Sequence, residues 1–129
     1  MPTLDDVSRV AADLPGSEER ATTGGAAWFV RNKLYAWESH PWPSESPALR
    51  ELIASEPVMG AKVADTDEQR ALLYGWPEVF RMSEVRWGQP KVLIRLTLVD
   101  PQLLAEVVTE AWRSQAPKYL RREFDGDQP

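Results

Sequence analysis

Two groups of cations are the residues of this chain best suited to chemistry. The first is Arg86, Lys91 and Arg95, with Trp87 among them, in the stretch R-W-G-Q-P-K-V-L-I-R-L. The second is Arg113, Lys118, Arg121 and Arg122, in the last part of the sequence. Cations gathered on one face hold phosphate, and sequence readout needs in addition an element that enters a groove. These residues satisfy the first condition if the fold brings them together. No residue pattern here identifies a base-reading element. Each cation also has an ordinary role. Lys and Arg on the outer face of a strand keep a sheet soluble, and cations near a helix C-terminus offset its dipole.

Residues for catalysis are scarce. His40 is the one histidine and sits in a proline-rich stretch. A Ser–His–Asp arrangement cannot be argued from it. With no cysteine in the chain, thiolate nucleophiles, disulfides and Cys-ligated metal sites are excluded. The carboxylate pairs are Asp5/Asp6, Glu18/Glu19 and Asp65/Asp67/Glu68. The first and last fall where helix N-termini favour negative charge, and Glu18/Glu19 follows a Pro-Gly-Ser turn. A carboxylate hydrolase needs a cleft and a shifted pKa, and neither is readable here. The residues therefore point to a binding protein, with no catalytic residues, no metal and no cofactor.

The elements that must position the cations follow from periodicity. Thr3 to Leu14 reads as a capped helix stopped by Pro15-Gly16, with Leu4, Val7, Val10, Ala11 and Leu14 as its apolar stripe. Ala26 to Glu38 reads as a hairpin turning at Arg31-Asn32, because Asn tolerates the positive φ of a tight turn. Thr22 to Gly25, T-T-G-G, lacks the Gly-Lys-Ser/Thr ending of a phosphate loop and reads as a flexible entry to that hairpin. Pro41, Pro43 and Pro47 mark a surface loop. Ser46-Pro47 then starts a short helix with Leu49, Leu52 and Ile53 facing inward. Val58 to Ala64 reads as a strand, and Thr66-x-x-Gln69 as the capping box of a helix ending near Pro77.

Val79 to Val85 and Lys91 to Leu98 read as two strands joined around Gly88-Gln89-Pro90. The second places Val92, Ile94, Leu96 and Leu98 on one face, and Lys91, Leu93, Arg95 and Thr97 on the other. Asp100-Pro101 opens the longest helix, with Leu104, Val107, Val108 and Ala111 at helical spacing. Pro117 breaks it, and K-Y-L-R-R-E-F follows as a last helical turn or two. This order predicts one α+β domain over residues 1–129, with a largely antiparallel sheet and helices packed on one face.

A length of 129 residues suits a single domain. The chain has six tryptophans and a net charge of −5. Acidic chains are poor general nucleic-acid binders, since phosphate repels them at long range. The charge is uneven, however: residues 1–78 are net −6 and residues 79–124 net +3. An anion-binding face is therefore expected in the C-terminal third. The acidic start lacks the basic and apolar run of a signal peptide, and no apolar run approaches the ~20 residues of a membrane span. The expected setting is the cytoplasm, without membrane contact.

Several segments, taken in order, resemble the MmcQ/YjbR family of small bacterial proteins. They are L-P-G-S-E-E, A-W-F-V-R-N-K-L-Y-A-W, V-A-D-T-D-E, W-P-E-V-F, Q-P-K-V-L-I-R-L-T-L-V-D and A-W-R-S-Q-A-P-K-Y-L. The resemblance runs from about Leu4 to Phe124. It implies a CyaY-like α/β fold of the type described as a double-wing DNA-binding motif, with the Trp87–Gln89 turn as a wing. Together with the net +3 of residues 79–124, the resemblance leads to the expectation of weak binding of double-stranded DNA through Arg86, Trp87, Lys91, Arg95, Arg113, Lys118, Arg121 and Arg122. Arg95 and Ala111-Trp112-Arg113 with Ala116-Pro117-Lys118 match that family well. Its members often carry Pro-His and an aromatic before Gly-Tyr-Pro. Here that run is Glu84-Val85-Arg86-Trp87-Gly88-Gln89-Pro90, without the histidine and with Gln89 in place of Tyr. The competing expectation, drawn from the tryptophan count, is a protein- or small-ligand-binding module that shows an exposed aromatic patch or an apolar pocket.

Overall fold

The computed structural model describes residues 2–82 and 90–126. Arg86, Trp87 and the Gly88-Gln89 part of the expected turn lie outside the described residues. Among the described residues, six strands form one antiparallel sheet, flanked by five helices. The single α+β domain with an antiparallel sheet is thus as expected.

Helix α1 (Leu4–Ala12) begins at Thr3, whose backbone N–H donates to the Asp6 carboxylate at 2.7 Å. Val7 and Ala11 bury its inner stripe. At Gly16 the chain takes φ +70°, a conformation that favours glycine, and turns into β1 (Ser17–Thr22).

This strand is absent from the sequence reading. S-E-E-R-A-T carries no apolar alternation, because β1 is an edge strand whose partner β2 (Gly25–Val30) supplies the apolar side chains. Charges along it suit an edge. Glu19 is no idle surface acid: it accepts from Trp28 Nε1 at 3.0 Å and from the Ser8 hydroxyl at 2.6 Å. T-T-G-G is the turn between the two strands, with the Thr22 hydroxyl donating to the Gly25 carbonyl at 2.6 Å.

Strand β3 (Lys33–Glu38) pairs with β2 through the expected turn, where Arg31 and Asn32 both take positive φ, 50° and 66°. Both values fit the two-residue turn whose twist matches the strands. The pairing shifts by one residue at Tyr35, a β-bulge. Its ring is buried, and its hydroxyl lies 2.6 Å from that of Ser17. Burial pushes the Tyr35 pKa up to about 12, against the lowering effect of the Ser17 bond.

Helix α2 (Pro47–Ser55) is capped by Ser46, which accepts from Leu49 N–H. It leads to β4 (Val58–Lys62), then α3 (Thr66–Gly75). The α3 cap is Asp65, one residue before the expected box. Its carboxylate accepts from Glu68 N–H at 2.8 Å, and Glu68 accepts from Ala64 N–H at 2.9 Å. Strand β5 (Phe80–Arg81) and β6 (Lys91–Arg95) complete the sheet in the order β1-β2-β3-β4-β6-β5. β6 stops at Arg95, three residues before the expected end, because Leu98 and Val99 N–H turn back onto the Arg95 carbonyl. Leu98 is accordingly exposed, whereas Val92, Ile94 and Leu96 are buried.

Helix α4 (Pro101–Gln115) is capped by Asp100, which accepts from Gln102 and Leu103 N–H, and α5 (Lys118–Phe124) follows Pro117. The main core joins α1, α3, α4 and α5 to Trp28, Met59, Ala61, Val92 and Ile94 of the sheet. Strand alternation sends Val58 and Leu93 to the opposite face. There they pack with Leu49 and Ile53, so α2 packs on the second face of the sheet. On that face Trp37 lies directly over Gly60, its cross-strand partner. A Cβ at residue 60 would come within 2.2 Å of the indole.

Candidate anion-binding site

The cations of the sequence reading divide between the two faces of the sheet. Lys91 and Arg95 alternate with the core residues Val92 and Ile94, so they point to the α2 face. Arg113, Lys118, Arg121 and Arg122 belong to α4 and α5, on the other face. The described members of the two groups therefore do not form one surface.

On the α2 face, Arg95 is already engaged. Its Nε donates to Glu56 Oε1 at 2.7 Å and Nη2 to Oε2 at 3.1 Å, a two-point ion pair less than a quarter exposed on either side. The Thr97 hydroxyl adds a bond to Glu56 Oε1 at 3.2 Å. These bonds from Arg95, opposed by burial, hold the Glu56 carboxyl below its ordinary pKa. The pair ties the end of α2 to β6. Lys91 stands opposite Lys62 across β4 and β6. Burial first, and the like charge of Lys62 second, lower the Lys91 pKa, while Glu45 raises it.

On the helix face, the α4–α5 junction and the β2–β3 turn enclose an open cleft of about 620 Å³. Arg31 and Lys33 line it from the turn, Arg113 and Arg121 from the helices. Its other lining residues include Ser114, Gln115 and Tyr119, and among the described residues none is a carboxylate. Arg31 and Lys33 are exposed, and no ion pair is seen for either among the described residues. The Arg121 Nε is buried without a hydrogen-bond partner. Arg113 differs: its Nη1 donates to Asp125 at 3.0 Å and its Nε to Glu110 at 3.1 Å. Its charge is largely met, and the pair of acids fixes its position. A smaller recess of about 280 Å³ adjoins Arg113 and Arg121 and carries Glu68 and Glu110. Both acids are occupied, Glu68 by the Ala64 N–H and Glu110 by Arg113.

No family model matches the chain. The uncharacterized protein Mb2600 of Mycobacterium bovis is 36% identical to it over 127 residues, covering 96% of each chain. The uncharacterized protein Rv2570 of Mycobacterium tuberculosis matches to the same extent. The chain belongs to the family of these mycobacterial proteins. The crystal structure of Deinococcus radiodurans protein DR2400, a DUF419 domain, is also similar. It matches with a TM-score of 0.67 and 18% identity over 97% of this chain and 89% of that one. That likeness establishes the α+β fold.

Of the residues expected to bind, the family member thus brings Arg113 and Arg121 to one cleft and leaves Lys91 and Arg95 on the far face. Lys118 is exposed on the first turn of α5, and Arg122 is exposed further along it. Arg31 and Lys33 were missed as binding residues. The signal for them was present: a turn at Arg31-Asn32 with a second cation directly after it places two positive charges at a hairpin tip. Of the tryptophans, Trp42 and Trp76 are about half exposed while Trp28 and Trp112 are buried. Trp42 packs against His40, with ring centroids 4.3 Å apart, and Trp76 against Phe80, at 6.2 Å. Among the described residues no cluster of His, Asp or Glu is placed to hold a metal ion, and no helix is long and apolar enough to cross a membrane.

Proposed function

We propose that this protein is a non-enzymatic DNA-binding module of the MmcQ/YjbR type, gripping phosphate weakly through the cleft between the β2–β3 turn and the α4–α5 junction. The observation that carries this reading is the convergence of Arg31, Lys33, Arg113 and Arg121 on a cleft that no carboxylate lines among the described residues, in a chain of net charge −5. A hairpin tip that presents Arg31 and Lys33 can act as a wing on the phosphate backbone. The reading asks no sequence preference of the site, because phosphate contacts position a protein without reading bases. An overall negative charge limits the affinity and makes it sensitive to salt.

Mobility shift and fluorescence anisotropy with a labelled duplex test the proposal. Micromolar or weaker binding is expected at ~50 mM salt and its loss at a few hundred millimolar. No binding at ~50 mM salt would remove the DNA reading.

A further inference from the structure

The shape of the cleft carries more than a general affinity for phosphate backbone. At about 620 Å³ the open cleft has room for one small ligand. Its cations come from two separate elements, Arg31 and Lys33 from the turn and Arg121 from α5. Three cations lining one cleft suit a doubly charged group better than a singly charged one. A backbone phosphodiester has one charge, whereas a phosphate monoester carries close to two at neutral pH. Among the described residues no carboxylate pairs with Arg121 and its buried Nε has no acceptor, which an anion in the cleft can supply once the side chain turns to it. Tyr119, more than half exposed, adds an aromatic face to the lining. Exposed aromatic rings beside cations are the means by which proteins hold nucleobases next to phosphate.

We infer that the cleft is a phosphate-monoester site for a nucleotide unit: Arg31, Lys33 and Arg121 hold the phosphate, and Tyr119 stacks on the base. Such a unit comes either from a free nucleoside monophosphate or from a 5′-phosphorylated strand end. The inference rests on the reading that this cleft takes phosphate, but not on its taking duplex backbone.

The test compares, on the full chain, a duplex with 5′-phosphate ends, the same duplex with 5′-hydroxyl ends, AMP, and adenosine. The phosphorylated duplex is expected to bind about tenfold more tightly than the hydroxyl duplex, the worth of roughly one charge-assisted contact. AMP should bind where adenosine does not, and more weakly below about pH 6, where the monoester takes up a proton. Arg121→Gln should erase the preference for phosphate. Tyr119→Ala, at an exposed ring, should weaken AMP without altering the far-UV spectrum. Equal binding of both duplexes with no binding of AMP overturns the monoester site and leaves the backbone reading standing. AMP binding with no duplex binding supports the monoester site and overturns the backbone reading. No binding of any of the four overturns both.

Discussion

Arg95 ends on a carboxylate and Arg121, among the described residues, does not, and this difference separates structural from binding cations. The Arg95–Glu56 pair is two-pronged and mostly shielded from water. Breaking it should cost about 1–3 kcal/mol, as for other hydrogen bonds to charged groups. Glu56→Gln should therefore lower the midpoint of thermal unfolding. The sign of its pH dependence follows from the depressed pKa. Folding holds Glu56 ionised, so its contribution is complete above the ordinary carboxylate value, about 4.3, and fades as pH falls through the lower folded value. Acid titration of unfolding should show a shallower loss of stability in Glu56→Gln than in the parent. Arg121→Gln should behave in the opposite way. It removes a buried donor without an acceptor, so stability should hold within about 0.5 kcal/mol while phosphate binding weakens. Neither assignment was legible in the sequence. Arg95 sits on the polar face of an alternating strand, and nothing local shows that Glu56 will stand beside it.

At the scale of elements, the β2–β3 turn was legible and β1 was not. A turn made by Asn between two aromatic runs declares itself, because few residues accept left-handed backbone. Asn32, at φ 66°, should tolerate glycine, while Asn32→Val should cost about 1–2 kcal/mol, measured by denaturant midpoint. β1 stayed hidden because an edge strand needs no apolar face of its own when its neighbour supplies one. The placement of α2 was visible only in hindsight through Leu93, an apolar residue on the otherwise polar side of β6. Beside it, Gly60 lies under the Trp37 indole with no room for a methyl group. Gly60→Ala should destabilise by about 1–3 kcal/mol, and Trp37→Leu in the same chain should recover part of the loss by clearing the overlap.

At the scale of the whole molecule, local sequence shows charge but not which charges meet. The net +3 of residues 79–124 points to the C-terminal third, and two of its eight cations, Arg113 and Arg121, line the cleft. The other wall of the cleft comes from Arg31 and Lys33, inside the segment of net −6. Only the topology, which carries the β2–β3 turn to the end of α4, joins the two. The proposal for the molecule as a whole is that these cations act together on phosphate, and counterion release measures that directly. The decisive measurement is the slope of log binding constant against log salt for a duplex, in the parent chain and in Arg31→Gln/Lys33→Gln/Arg121→Gln. Each phosphate contact contributes about 0.9 to the slope, so the triple variant should be shallower by nearly 3. An unchanged slope in a folded triple variant would show that the DNA phosphates lie elsewhere.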